Sequence, residues 1–224
     1  MKLTLRSPPP DVESLMQRAR RLAGRDLAWL AARLDRPVPP DLRRHKGWIG
    51  DRIEEALGAT AGNQADCDFP HLGIELKTLP VDEQGKVRQS TFVCSAPYDG
   101  SGGRHWEGSW VQKKLARVLW VPIVGTGPIE SRRIGTPLLW SPNEQEETLL
   151  STDHEELGRL LHSGEIDQIS ARRGQVLQLR PKAARGQDTT WMLTDEGEWA
   201  RAQPKAWYLR SRFTQEILAR SFLV

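Results

Sequence analysis

Cysteine is nearly absent from this chain: Cys67 and Cys94 are the only two in 224 residues, alongside three methionines, two tyrosines and four phenylalanines. Two isolated thiols build neither a disulfide framework nor a Cys-x-x-Cys metal pair, so reduced thiols in a cytoplasmic protein are expected. Long apolar runs are also missing. No stretch approaches the roughly 18 consecutive apolar residues of a membrane helix, and the opening segment, interrupted by Pro8, Pro9 and Pro10, has no apolar core of the secretory kind. An excess of one charge sign is missing too, since 32 Lys+Arg against 29 Asp+Glu leave only +3. A pI near 9.0 leans basic without identifying a partner. What the chain does contain is 38% hydrophobic and 27% charged residues, enough for one substantial core, which excludes a disordered tail. Nine tryptophans are numerous for this length. Trp is more often a core or sheet-covering residue than a base-stacking platform, so the count alone assigns no function.

Periodicity divides the chain into short elements. After the prolines, Asp11 caps a helix carrying Leu15, Met16, Ala19, Leu22 and Ala23 at helical spacing and ending near Gly24. A second helix is expected over 27–34, and a third from Trp48, with Ile49, Ile53 and Leu57 inward and a stop at Gly58. Its other face carries Asp51, Glu54 and Glu55. Residues 72–79 alternate apolar and polar as a strand does, and 91–94 read as a neighbouring strand. Ser109 caps a helix bearing Lys113, Lys114 and Arg117, which contact phosphate or face solvent. The apolar run 118–124 suits a strand buried on both faces, with Pro122 pointing to an edge or a bulge.

Charge then changes sign along the chain. Residues 139–167 hold Glu144, Glu146, Glu147, Asp153, Glu155, Glu156, Glu165 and Asp167 against Arg159 alone, a pattern read as a solvated helix face. Residues 168–186 hold Arg172, Arg173, Arg180, Lys182 and Arg185 and no acid. Within them, 169–171, a turn at Arg173 and Gly174, and 175–180 read as a hairpin. Residues 187–198 read as a loop, 206–209 as a strand, and 213–222 as a closing helix with Ile217 and Leu218 inward. There is no internal repeat and no low-complexity linker, so a single α/β domain over 1–224 with lobes is expected.

The chemistry-bearing cluster lies between positions 54 and 77. On a strand Glu75 and Lys77 share one face, while Ile74 and Leu76 enter the core. Asp68, arriving from the preceding turn, adds a second carboxylate. Two hard oxygen ligands with positions left for water and phosphate suit Mg²⁺, which would polarise a scissile phosphate and acidify a bound water. Lys77 would stabilise charge on phosphorane oxygens or help orient that water, and Glu54 stands to join as a third acid. On spacing alone a strand-surface ion pair is the default reading.

Sequence resemblance separates these readings. Lys46-Gly47-Trp48-Ile49-Gly50 with Glu54 and Leu57-Gly58-Ala59, then Asp68-Phe69, then Leu72-Gly73-Ile74-Glu75-Leu76-Lys77-Thr78 with Pro80-Val81-Asp82, closely resembles the MutH family of methyl-directed mismatch-repair endonucleases. The likeness continues through Thr91-Phe92-Val93-Cys94, Arg117-Val118-Leu119-Trp120, residues 137–144, Leu179-Arg180-Pro181-Lys182-Ala183-Ala184 and Tyr208-Leu209. It implies the restriction-endonuclease-like fold: a mixed sheet flanked by helices, in two lobes around a DNA cleft. The N-terminal lobe would carry the catalytic residues and the C-terminal lobe the DNA-reading ones. It implies Mg²⁺-dependent nicking of the unmethylated strand at hemimethylated GATC sites, 5′ of the G, activated by a MutL-type protein and indirectly by MutS. The chain's size, with no recognisable dimerisation segment, adds the expectation of a monomer with a single active site. Residue by residue, the resemblance implies Asp68 and Glu75 as metal ligands, Lys77 as catalytic lysine and Glu54 as supporting acid. Lys46 would lie close to the active site and DNA. Arg180, Pro181, Lys182 and Tyr208 would read the sequence, Tyr208 sensing the adenine methyl group.

The residues themselves leave alternatives open. Arg180 and Lys182 suit guanine reading or plain phosphate attraction, and Tyr208 suits a base edge or a core position beside Trp207. A GATC-cutting restriction endonuclease of the same fold and a catalytically silent DNA-binding module are the rival functions; the acids crowded around Lys77 speak against the second.

Overall fold

The computed structural model describes residues 7–61, 66–163, 169–170, 172–182, 189–193 and 197–221. In chain order its elements are α1 (Val12–Leu22), α2 (Leu27–Leu34), α3 (Trp48–Leu57), β1 (Glu75–Val81), β2 (Thr91–Ala96), α4 (Trp110–Leu115) and β3 (Val118–Val124). Then follow β4 (Arg133–Ile134), β5 (Leu138–Trp140), α5 (Glu144–His162), β6 (Leu177–Pro181), β7 (Thr190–Leu193), β8 (Trp199–Ala202), β9 (Lys205–Leu209) and α6 (Ser211–Ser221). These form two compact units, one of residues 1–88, 117–140 and 218–224, the other of 89–116 and 141–217.

In the first unit the helix boundaries follow from local chemistry. Asp11 accepts the Ser14 amide at 2.7 Å to start α1, and Asp26 accepts that of Trp29 at 2.7 Å to start α2; losing such a cap costs about 1 kcal/mol. The third helix stops at Gly58, whose φ of 86° is open to glycine but strained for other residues. The sheet is mixed. β1 runs parallel to β3 along its whole length, from Glu75 opposite Val118 to Val81 opposite Val124. On the other side β3 pairs antiparallel with β5 and then with β4. Leu15, Leu27, Leu30, Ile53 and Leu57 from the helices close against Phe69, Ile74, Leu76, Leu119 and Val121.

Pro122 therefore sits in a central strand, not at an edge or bulge. Its pairing side falls where β3 passes from β5, last matched at Trp120, to β4, first matched at Ile123. Its carbonyl accepts the Gly135 amide at 2.7 Å, which ties the strand to the chain leading into β5.

The second unit is built on an antiparallel sheet in the order β2-β9-β6. Several expectations are corrected here. β2 neighbours β9 and not β1, because its partner is set by non-local packing that period-2 alternation does not encode. The expected hairpin around Gly174 is absent among the described residues, since 169–170 carry no strand and β6 pairs with β9; Ala171 lies outside them. The expected loop over 187–198 contains β7, paired with β8 from Thr190 opposite Ala202 to Leu193 opposite Trp199; 187–188 and 194–196 lie outside the described residues. So do Glu165, Asp167, Ala183, Ala184, Arg185 and Phe222. Lys114 is buried at 8% exposure, so it does not face solvent as expected. Nor is α5 simply a solvated acidic face, because Glu146, Asp153 and His154 are buried. Its start is fixed by a capping box in which Asn143 and Glu146 exchange side-chain and backbone bonds.

Candidate active site and nucleic-acid interface

The acid-lysine cluster is assembled by one tight reversal. Phe69 and Ile74 bridge through two backbone hydrogen bonds around a single 3-10 turn (Pro70–Leu72), and Gly73 with φ 62° closes it. Asp68, eight positions before Leu76, is thereby brought to accept the Leu76 amide through Oδ2 at 2.7 Å. On β1 the Lys77 ammonium donates to Glu75 Oε1 at 2.6 Å, with both side chains largely withdrawn from solvent. Asp68 and Glu75 are 7% and 3% exposed, so this is not the exposed strand-surface ion pair.

Glu54 reaches the same group from α3. Burial, then the charges of Asp68, Asp51 and Glu75, push its carboxyl up to about 7, with Lys77 acting in the opposite direction. Glu55 is turned elsewhere, bound by Arg52 at 3.3 Å and Arg36 at 3.2 Å, which separates the two adjacent acids. Lys46 is exposed immediately before Gly47, the residue that begins α3 with φ 94°.

The donor chemistry fits a divalent cation. Among the described residues no three Asp, Glu, His or Cys side chains form a metal-holding group. The chain offers two buried hard carboxylates, Asp68 and Glu75, which suits a hard ion completing its coordination with water and phosphate oxygens. The raised proton affinity of Glu54 reflects its burial first and the neighbouring carboxylates second.

In the second unit Arg180, Lys182, Tyr208 and Phe92 share one sheet face. Tyr208 on β9 is matched with Gln178 on β6 and Phe92 on β2, and Arg180 lies opposite Ala206. Phe92 meets the Tyr208 ring edge to face at 5.6 Å. The Arg180 guanidinium lies 5.5 Å from the Tyr208 ring centroid and donates to Ser90 Oγ at 2.5 Å. The Lys182 ammonium lies 5.4 Å from the Phe92 ring and donates to Ser95 Oγ at 2.6 Å. Pro181 sits between them on the strand, opposite Lys205. Both cations thus stand over aromatic faces and are held by serine hydroxyls.

Trp207, not Tyr208, takes the core position, at 4% exposure, while Tyr208 is half-buried on the opposite face. Residue reading alone assigned no role to Phe92, Ser90 or Ser95. Phe92 is one of three large apolar side chains exposed among the described residues, and an aromatic beside Val93 and Cys94 reads from sequence as core.

Comparison with known proteins places both regions in one family. Residues 57–153 match the family described as "DNA mismatch repair enzyme MutH". Over 217 residues the chain is 49% identical to the "DNA mismatch repair protein MutH" of Pectobacterium atrosepticum, covering 96% of this chain and 94% of that protein. Over 222 residues it is 49% identical to the protein of that name from Klebsiella pneumoniae, covering 98% and 96%. The Photorhabdus laumondii protein is 46% identical over 220 residues, covering 97% and 96%. With alignments running nearly end to end, through the acid-lysine cluster and the basic strands alike, the chain belongs to the MutH family of DNA mismatch repair enzymes.

Proposed function

We propose that this protein nicks the unmethylated strand of hemimethylated GATC sites, 5′ of the G, in a Mg²⁺-dependent reaction. Family membership makes it a GATC-specific DNA mismatch repair endonuclease that binds DNA and depends on a divalent metal. No helix among the described residues is long and apolar enough to cross a membrane. The finer reading places it in the cytoplasm as a monomer, activated by a MutL-type protein and indirectly by MutS, and treats residues 1–224 as one endonuclease domain. The observation that carries it is the Glu75–Lys77 contact of 2.6 Å beside the buried Asp68 and the proton-avid Glu54.

Asp68 and Glu75 would hold the Mg²⁺ ion, which when bound supplies Lewis acidity at the scissile phosphate and acidifies a water. Lys77 presents its ammonium on the same strand face as Glu75 and offsets charge growing on the phosphate oxygens. Glu54, with a proton affinity near neutrality, is suited to take a proton from the attacking water. The Glu75 contact holds the Lys77 ammonium in place, limiting reorganisation as charge develops.

In the second unit Arg180 and Lys182 supply donors for guanine edges and phosphates, and Tyr208 presents a ring edge where an added methyl group changes the fit. Phe92 and the serines hold those groups in fixed orientation.

Strand-specific cleavage of unmethylated, hemimethylated and fully methylated GATC oligonucleotides, with and without a MutL-type partner, tests this reading. Single-strand nicks on the unmethylated strand, stimulated by the partner, are expected. Double-strand breaks independent of the partner would instead identify a restriction endonuclease, and binding without cleavage a silent module.

A further inference from the structure

Two consecutive residues of α5, Asp153 and His154, are buried at 2% and 1% exposure and take no part in the chemistry described above. A buried carboxylate is tolerated only when its oxygens are satisfied. Asp153 accepts the amides of Gln175 at 2.8 and 2.9 Å, Val176 at 2.6 Å and Leu177 at 2.8 Å. Three successive backbone donors converge on one side chain, and they form the entry to β6. Arg180 and Lys182 follow three and five residues later on a strand that those bonds hold in register.

His154 grips the other strand. Its ring lies nearly flat on Trp207, with centroids 4.9 Å apart and planes 24° apart, and meets the edge of Trp106 at 5.6 Å. Trp207 precedes Tyr208 on β9, and strand alternation sends the two rings to opposite faces. The imidazole packs uncharged: burial pulls it down to about 4, against a smaller opposing influence from Glu155, with His162 and His105 adding to the depression. Among the described residues its Nδ1 finds no hydrogen-bond partner, and two indoles pack on the ring.

We propose that Asp153 and His154 are positioning residues for DNA recognition, Asp153 setting the strand that presents Arg180 and Lys182, and His154 setting the strand that presents Tyr208. This rests on the reading that those three residues contact the GATC site.

The two grips make separable predictions, tested in the full-length protein on single-site duplexes. Asp153→Asn keeps one acceptor oxygen and places an opposing donor against the amides. It should raise KM for DNA about tenfold, with kcat and the ratio of hemimethylated to fully methylated rates close to wild type. His154→Ala should lower that ratio several-fold, and His154→Phe, which preserves a flat uncharged ring, should restore it. His154→Gln fills space without a ring and should behave like His154→Ala, so it carries the test if the alanine variant yields no active protein.

Partial unfolding reduces both rates together and leaves the ratio and KM unchanged. An unchanged ratio in the Ala and Gln variants therefore overturns the role of His154, and an unchanged KM in Asp153→Asn overturns that of Asp153. Tyr208→Ala separates the underlying reading from this one. If it leaves the ratio intact, the methyl-sensing assignment fails and the His154 role falls with it. If Tyr208→Ala lowers the ratio and the His154 variants do not, this inference alone fails.

Discussion

The two functional regions handle charge in opposite ways. In the first unit Asp51, Glu54, Asp68 and Glu75 gather around the ammonium of Lys77, and burial first, then its acidic neighbours, push the Glu54 carboxyl up to about 7. In the second, Arg180 and Lys182 are each spread over an aromatic ring and tied to a serine hydroxyl. One region stores repulsion that a cation relieves; the other stores donors already fixed in place. Under the proposed roles, buried carboxylates are costly without the cation they would hold, whereas cations offered to DNA are prepared cheaply against rings and hydroxyls.

The strongest way to break the contrast is to remove a carboxylate from the cutting cluster. Glu75→Ala or Asp68→Asn should lower Mg²⁺-dependent nicking by about a thousandfold or more while leaving DNA affinity within a few-fold. Gel-based nicking alongside a binding titration measures both, and retained cleavage by either variant would remove the proposed metal site. Arg180→Ala should do the reverse, weakening binding of GATC duplex by about ten- to a hundredfold, in line with the 1–3 kcal/mol of a good base contact. An equal loss for GATC and for a scrambled duplex would assign Arg180 to phosphates instead.

Glu54 gives a smaller effect, opposite in sign for stability and for activity. Its folded pKa lies above the unfolded value, so the native state holds a proton that it must release as pH rises from about 4.5 through 7, and stability falls across that window. Glu54→Gln should stabilise the metal-free protein at pH 8 by on the order of 1–2 kcal/mol, allowing for solvent screening, while reducing nicking. Chemical denaturation at pH 5 and pH 8 checks it, the gain being much smaller at the lower pH.

His154 supplies the smallest and most local signal. Its folded pKa of about 4 lies below the unfolded 6.5, so its contribution is intact above pH 6.5 and is lost as pH falls towards 4. The loss is at most about 1.4 kcal/mol per pH unit. In His154→Phe that part of the acid sensitivity should vanish, seen as a wild-type-minus-variant stability difference that shrinks between pH 7.5 and pH 5 in urea titrations.

What the sequence made legible follows the range of the interaction. α1, α2 and α3 were readable because Asp11 is a local start signal and Gly58 a local stop signal, and their caps lie within four residues. Glu75 and Lys77 were readable because alternation places them together, and Asp68 because a six-residue turn is short. The partner of β2 was not, since β9 lies more than a hundred residues away and either sheet would accept an alternating strand. Asp153 was hidden for a related reason: among many acids of α5, nothing local distinguishes the one that captures amides 22 to 24 residues later. The strand β7 was missed because Thr190 and Trp191 stand beside a polar stretch that masks a four-residue alternation.

Gly174 connects these long-range bonds to heredity. It has φ of 80°, and a Cβ there would collide with the Leu177 carbonyl at the start of β6. Its own carbonyl accepts the Arg210 guanidinium at 2.9 Å, just after β9. Every missense change in that codon adds a side chain where the backbone leaves no room. A loss-of-function screen should therefore recover substitutions at Gly174 as readily as at Glu75, and the resulting strains would accumulate uncorrected replication errors for a purely steric reason.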